Sequence, residues 1–291
     1  MYILSNAIEW MVLIGSPAAL VLLGIIRMKR KYVTEARRPF TGMPLRVAGQ
    51  SSRQRADELF ESASEDLLLV LIGPTIGLFY GISPLRESRA FGGALFFGVA
   101  IVTSWMGIRL RKKLKSSWNY RLGALGEQVV SHELDKLMRF GYRVFHDVPF
   151  DGWNIDHVVV GAKGVFAVET KTWRKPLKES KMQAKIVFDG HGLIRPGKKS
   201  DQQAILQARD NARSLSSWIS KSAAEDVSVV PVVALPGWAL EIARYGDVAV
   251  FSATNMGEPM LNRGKSELSP DQIQRIAFQL AKRCEEEGTR A

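Results

Sequence analysis

Ile155-Asp156-His157-Val158-Val159-Val160-Gly161-Ala162-Lys163-Gly164-Val165-Phe166-Ala167-Val168-Glu169-Thr170-Lys171 reads as one β-hairpin with charged residues at its open end. Two apolar runs, 158–160 and 165–168, flank Gly161-Ala162-Lys163-Gly164, which has the composition of a tight turn. A turn centred between Ala162 and Lys163 sets Asp156 opposite Glu169. Side chains alternate between faces along a strand, so Glu169 and Lys171 share a face. Directly opposed residues share one too, with Cβ atoms roughly 5 Å apart. Asp156, Glu169 and Lys171 therefore converge on one patch, and a register slip of one residue would send Asp156 to the other face.

Two neighbouring carboxylates repel each other unless a cation lies between them. Mg²⁺ or Mn²⁺ suits oxygen ligands and keeps waters for chemistry. Lys171 would then orient or activate a water, or stabilise charge on a pentavalent phosphorus. A surface ion pair at a strand end fits the same spacing, and the hairpin alone leaves the two readings open.

The flanking sequence adds three further pieces. Leu122-Gly123-Ala124-Leu125-Gly126-Glu127 opens an amphipathic helix running to about Phe140, and Tyr142–Val148 is a short strand. Downstream, Gln207-Ala208-Arg209-Asp210-Asn211 lies on a helix expected over 202–221, with Ile205, Ala208, Ala212, Leu215 and Ile219 on one stripe. In order and spacing, residues 122–255 resemble the nuclease-related domain, NERD, of the PD-(D/E)xK nuclease superfamily. The resemblance implies an α/β fold, an α+β mixed sheet with a restriction-endonuclease-like core. It implies that Glu127 is the acidic residue of the first helix, and that Asp156, Glu169 and the Thr170 carbonyl are metal ligands for Mg²⁺ or Mn²⁺. Lys171 is the implied catalytic lysine and Gln207 the implied glutamine near the site. Residues 199–203 lack the family's usual Asn-Pro, so Gln203 competes with Gln207 for that role. DNA or RNA is the implied substrate. A non-catalytic nucleic-acid-binding or protein-interaction module that keeps the fold is the alternative.

Past Glu169-Thr170-Lys171 come Trp173, Arg174, Lys175 and Lys178. Trp173 shares the face of Lys171 if the strand continues, and could stack a base; the three cations could meet phosphate. His157 falls on the opposite face from Asp156 and reads as a structural residue. His146 and His191 lack metal-ligand spacing. Cys284 is the only cysteine, so no internal disulfide forms.

The rest of the sequence in the second half reads as mixed α/β. A second hairpin is expected at 184–194, strands at 227–235 and 248–251, and a terminal helix begins at Ser269-Pro270. The domain is expected over 122–256, with 257–291 as a helical extension.

Residues 1–121 have a different character. Apolar runs at 8–26, 67–83 and 90–108 approach the roughly 20 residues that a bilayer span takes, so three transmembrane helices are expected before the domain. The chain carries a formal charge of +11. Residues 123–291 hold 23 Lys and Arg against 21 Asp and Glu, leaving 17 basic and eight acidic among the first 122. The basic excess thus belongs to the flanks of the apolar runs, Arg27–Lys31 and Arg109–Lys115. Basic flanks face the cytoplasm and attract anionic membrane lipid. The expected setting is the inner (cytoplasmic) membrane, multi-pass, with the catalytic domain in the cytoplasm. No phosphate-binding Gly-x-x-x-x-Gly-Lys-Ser/Thr loop is present, so no ATP motor is indicated.

Overall fold

The computed structural model describes residues 45–82, 89–175 and 185–288. By their contacts these divide into two units. One holds Arg55–Asn119; the other holds the stretch ending at Gln54 together with everything from Tyr120 onward.

The first unit is an antiparallel helix pair, cut from helices α1 (Gln50–Ile82) and α2 (Arg89–Asp135). Ser117 Oγ donates to the Ala56 carbonyl at 2.8 Å, Lys113 Nζ donates to Ser62 Oγ at 2.7 Å, and Lys113 Nζ lies 2.6 Å from Asp66 Oδ2. Gly73 lies against Thr103, where a Cβ would be 2.9 Å from the hydroxyl. Among the described residues no helix is long and apolar enough to cross a membrane. The expected spans at 67–83 and 90–108 are corrected accordingly. Both runs are the far ends of longer helices whose next turns carry Asp66, Arg109 and Lys113, charged groups that bind one helix to the other. The expected span at 8–26 lies outside the described residues. A second difference concerns the helix expected to open at Leu122. It is the last part of α2, which crosses the expected boundary unbroken because no proline interrupts 89–135.

In the second unit a five-stranded mixed sheet is built from β1 (Arg143–Phe150), β2 (Trp153–Gly161), β3 (Gly164–Thr170), β6 (Val229–Leu235) and β8 (Ala249–Ser252), in the order β1-β2-β3-β6-β8. The first three strands pair antiparallel and the last two join parallel. A smaller sheet, β5-β4-β7, uses β4 (Lys185–Phe188), β5 (Leu193–Ile194) and β7 (Ala239–Ile242). The fold is thus mixed α/β, as expected from the sequence. Every residue of β3 and β6 is buried, which is why these strands read as unbroken apolar runs: they are covered on both faces.

Alternation sorts the core. Val158, Val160, Val165 and Ala167 pack toward α3 (Gln203–Ala223) and α5 (Pro270–Gly288), between which the short α4 (Gly257–Leu261) falls in sequence; Val159, Phe166 and Val168 pack toward Val130 and Leu134 of α2. The stripe Ile205, Ala208, Ala212, Leu215 and Ile219 is buried throughout. α5 begins with a reciprocal cap: Ser269 Oγ accepts from Gln272 N at 3.3 Å, and Gln272 Oε1 accepts from Ser269 N at 3.0 Å. Ile276, Leu280 and Cys284 of α5 are buried in the core under β1 and β2. The helix expected as an extension thus packs its apolar stripe against the sheet.

Candidate active site at the end of the central hairpin

The hairpin register agrees with the arithmetic of the sequence. His157 pairs with Val168, Val158 with Ala167, and Gly161 with Gly164, around a two-residue turn. One step further in the same register sets Asp156 beside Glu169, whose side chain meets Asn211 of α3. Asp156 Oδ2 accepts the Thr170 N–H at 2.7 Å. Glu169 is 4% exposed, and its Oε2 accepts from Asn211 Nδ2 at 3.1 Å. Lys171 follows directly, half-buried, its own N–H donating to the Ala234 carbonyl at 2.9 Å. That bond extends the β3–β6 pairing past the strand and fixes where the lysine starts.

Glu127 comes from α2. The helix runs close to the end of the hairpin because Gly126 has no side chain: a Cβ there would collide with Thr172. Glu127 is 5% exposed. Its Oε1 accepts from Ser52 Oγ at 2.7 Å, and its Oε2 is buried with no hydrogen-bond partner among the described residues. An unmatched buried carboxylate oxygen is costly, so this atom is available to a cationic ligand.

The electrostatics bind the three acids into one group. Burial pushes Asp156 well above the usual carboxylate range, and the neighbouring Glu169 and Glu127 charges push it further; the Thr170 N–H pulls it back. Burial raises Glu169 to about 7, against the pull of the Lys171 ammonium, with Glu127 adding to the rise. Glu127 is raised by burial, and the Ser52 hydroxyl draws it down. Among the described residues no three His, Cys, Asp or Glu side chains stand close enough to enclose a metal ion by themselves. The charges of Glu169 and Glu127 nonetheless reach Asp156, and that of Glu127 reaches Glu169. That combination suits a cation such as Mg²⁺, which takes one or two carboxylates and completes its shell with other oxygens.

Of the other residues singled out in the sequence, Gln207 and Gln203 both lie exposed on α3. The amide that reaches the site is Asn211, one turn beyond Gln207. Its signal was a polar residue inside the apolar stripe, between Ala208 and Leu215. Trp173 is half-buried under Arg195, whose guanidinium sits 4.5 Å from the ring centre, and the Trp173 carbonyl accepts from Trp238 Nε1 at 3.2 Å. Arg174 and Lys175 are exposed, while Lys178 lies outside the described residues. Cys284 is buried, which pushes its thiol up to about 11 and leaves it unreactive.

The opposite face of the hairpin holds a separate chain of polar groups. His157 Nε2 meets Thr170 Oγ1 at 3.1 Å, His157 Nδ1 meets His146 Nδ1 at 2.9 Å, and His146 Nε2 meets Asp135 Oδ1 at 2.9 Å. Every ring nitrogen is satisfied, as suits a structural role. Asp147 was not anticipated. It is fully buried with φ +50° and lies opposite Asp156, where the β1–β2 ladder is interrupted between the pairs His146–His157 and Val148–Ile155.

No curated protein and no solved structure matches the chain. The family model described as NERD, nuclease-related domain, matches residues 122–236, which contain Glu127, Asp156, Glu169, Lys171 and Asn211. The chain carries a nuclease-related domain over residues 122–236.

Proposed function

We propose that this domain is a metal-dependent nuclease hydrolysing phosphodiester bonds of DNA or RNA. The observation that carries the reading is the convergence of Glu127, Asp156 and Glu169 beside Lys171, with Glu127 Oε2 buried and unpartnered. Asp156, Glu169 and the Thr170 carbonyl would hold Mg²⁺ or Mn²⁺, which supplies Lewis-acid charge at the scissile phosphate. Lys171 orients the attacking water and stabilises the negative charge that builds on the phosphoryl oxygens. Asn211 fixes the Glu169 carboxylate, the Thr170 N–H fixes Asp156, and Glu127 Oε2 would reach the metal directly or through its water. Arg174, Lys175 and Lys178 would meet backbone phosphates, with Trp173 beside them.

The same reading places the chain at the inner face of the cytoplasmic membrane, with the domain in the cytoplasm. Its support is a stripe on α2: Phe97, Ile101, Trp105 and Ile108 are all exposed. Arg109, Arg111, Lys112 and Lys115 follow at once. An exposed apolar stripe next to a basic cluster suits an anionic lipid surface.

The test uses the full chain with single- and double-stranded DNA and RNA, in Mg²⁺ or Mn²⁺. Metal-dependent cleavage, lost in Lys171→Ala and in Asp156→Ala, is the expected result. Cleavage of nothing, or cleavage untouched in both variants, sinks the reading and leaves a non-catalytic binding module. Co-sedimentation with anionic vesicles tests the membrane setting: the full chain should pellet, and Phe97→Asp with Ile101→Asp should release it.

A further inference from the structure

The matched family region begins at residue 122, yet a segment some seventy residues earlier reaches the site. Residues 45–54 belong to the same unit as the sheet. They are tied to it at Asp147, whose Oδ2 accepts from Ser51 N at 3.1 Å and Ser51 Oγ at 2.9 Å and lies 2.9 Å from Arg46 Nε. Asp147 Oδ1 accepts from Asn154 Nδ2 at 2.6 Å. Arg46 Nη2 also donates to Ser51 Oγ at 2.7 Å. The segment turns at Gly49, φ +73°, where a Cβ would press on the backbone of Ala124, three residues before Glu127. Ser52 comes next and donates to Glu127 Oε1.

We infer that residues 45–54 form a strap that completes the active site, with Ser52 as a positioning residue for Glu127 and Asp147 as the anchor that holds the strap. This deepens the proposed function and rests on it. A buried aspartate in a left-handed conformation, placed inside a strand, is expensive in both solvation and backbone terms. Here its cost is offset by donors that come mainly from the strap. The strap in turn donates the Ser52 hydroxyl to Glu127 Oε1, and the Gly49 backbone also draws that carboxyl down; Oε2 has no hydrogen-bond partner among the described residues and stays open to the cation. Groups that orient a metal ligand typically matter by tenfold or more in metal affinity or activity.

The experiment compares the full chain with Ser52→Ala and Ser52→Thr. Mn²⁺ affinity is read by electron paramagnetic resonance without substrate, and cleavage by kcat and KM. Ser52→Ala should weaken Mn²⁺ binding about 10-fold and lower kcat by a similar factor with little change in KM for nucleic acid. Ser52→Thr, which keeps the hydroxyl, should restore both. A Ser52→Ala chain with wild-type Mn²⁺ affinity overturns the inference, as does a threonine variant no better than alanine, which would mark a packing effect. If the wild-type chain cuts nothing but its Mn²⁺ affinity still depends on the Ser52 hydroxyl, positioning stands and the nuclease reading falls. If the wild-type chain cuts, and Lys171→Ala does not, while Ser52→Ala behaves as wild type, the nuclease reading stands and positioning falls. A chain that binds no Mn²⁺ overturns both.

Discussion

The two faces of the central hairpin carry polar groups of opposite kinds, buried or half-buried. Toward α2, His146, His157, Thr170 and Asp135 form a closed chain in which each ring nitrogen has a partner. Toward α3 and the strand ends, Glu127, Asp156 and Glu169 have few donors; burial raises all three, and the Glu169 and Glu127 charges raise Asp156 further. A closed network stabilises a fold; an open one stores a cost that a ligand can relieve. Residues only one position apart, Asp156 and His157, fall on either side of that divide because a strand alternates.

The largest test of this contrast is catalytic. Lys171→Ala removes the cation that acts on Glu169 among the described residues and should lower kcat by about 10²–10³-fold, the range for losing one charge-stabilising donor. His157→Ala breaks the closed chain instead. It should destabilise by about 1–3 kcal/mol, the cost of leaving buried partners unmatched, as read by urea unfolding, with Mn²⁺ affinity unmoved. If His157→Ala weakens Mn²⁺ binding as Lys171→Ala weakens cleavage, the two faces are not separate.

A pH dependence follows from the open face. Glu169 is raised to about 7 in the folded chain, above the roughly 4.3 of an unfolded glutamate. The folded state therefore binds more protons between those values, and stability is lost as pH rises through that window. In metal-free buffer the unfolding midpoint should fall from about pH 4.5 to 7, and added Mg²⁺ should cancel much of the fall. Glu169→Gln should flatten the profile and stabilise the metal-free chain at neutral pH by on the order of 1–3 kcal/mol, while removing activity. A variant that is both more stable and inactive is the signature of a carboxylate kept for function. A profile that rises over this window would contradict it.

What the sequence made legible follows from the range of each interaction. The hairpin register could be read because a two-residue turn and a period of two fix it within 17 residues. The α3 stripe and the Ser269 cap are local in the same way. The strap was not legible: Ser51 and Asp147 are 96 positions apart, and no local pattern announces that a positive φ at Asp147 will meet a helix start. Residues 67–83 and 90–108 misled for a related reason. Their apolar composition is real, but the ion pairs from Asp66 to Lys113 and Arg109 depend on how two helices register. The stretch expected to open a helix at Leu122 instead lies inside a continuing helix, where Gly126 allows close packing on Thr172.

The smallest expected effect separates two amides on one helix. Gln207 and Asn211 are four residues apart and so lie on the same side of α3, one turn apart. Only Asn211 is buried, and only it reaches Glu169. Gln207→Ala should change stability by less than about 0.5 kcal/mol, as exposed positions generally do. Asn211→Ala leaves a buried carboxylate oxygen without its donor and should raise the pH midpoint of the Glu169 stability profile, because that donor holds the charged form in place. Asn211→Asp makes the sharper case: a second acid of nearly the same size beside Glu169 should increase the dependence of the folded chain on divalent cation. If Gln207→Ala moves the profile and Asn211→Ala does not, the resemblance had the right residue and the contact between Asn211 and Glu169 is incidental.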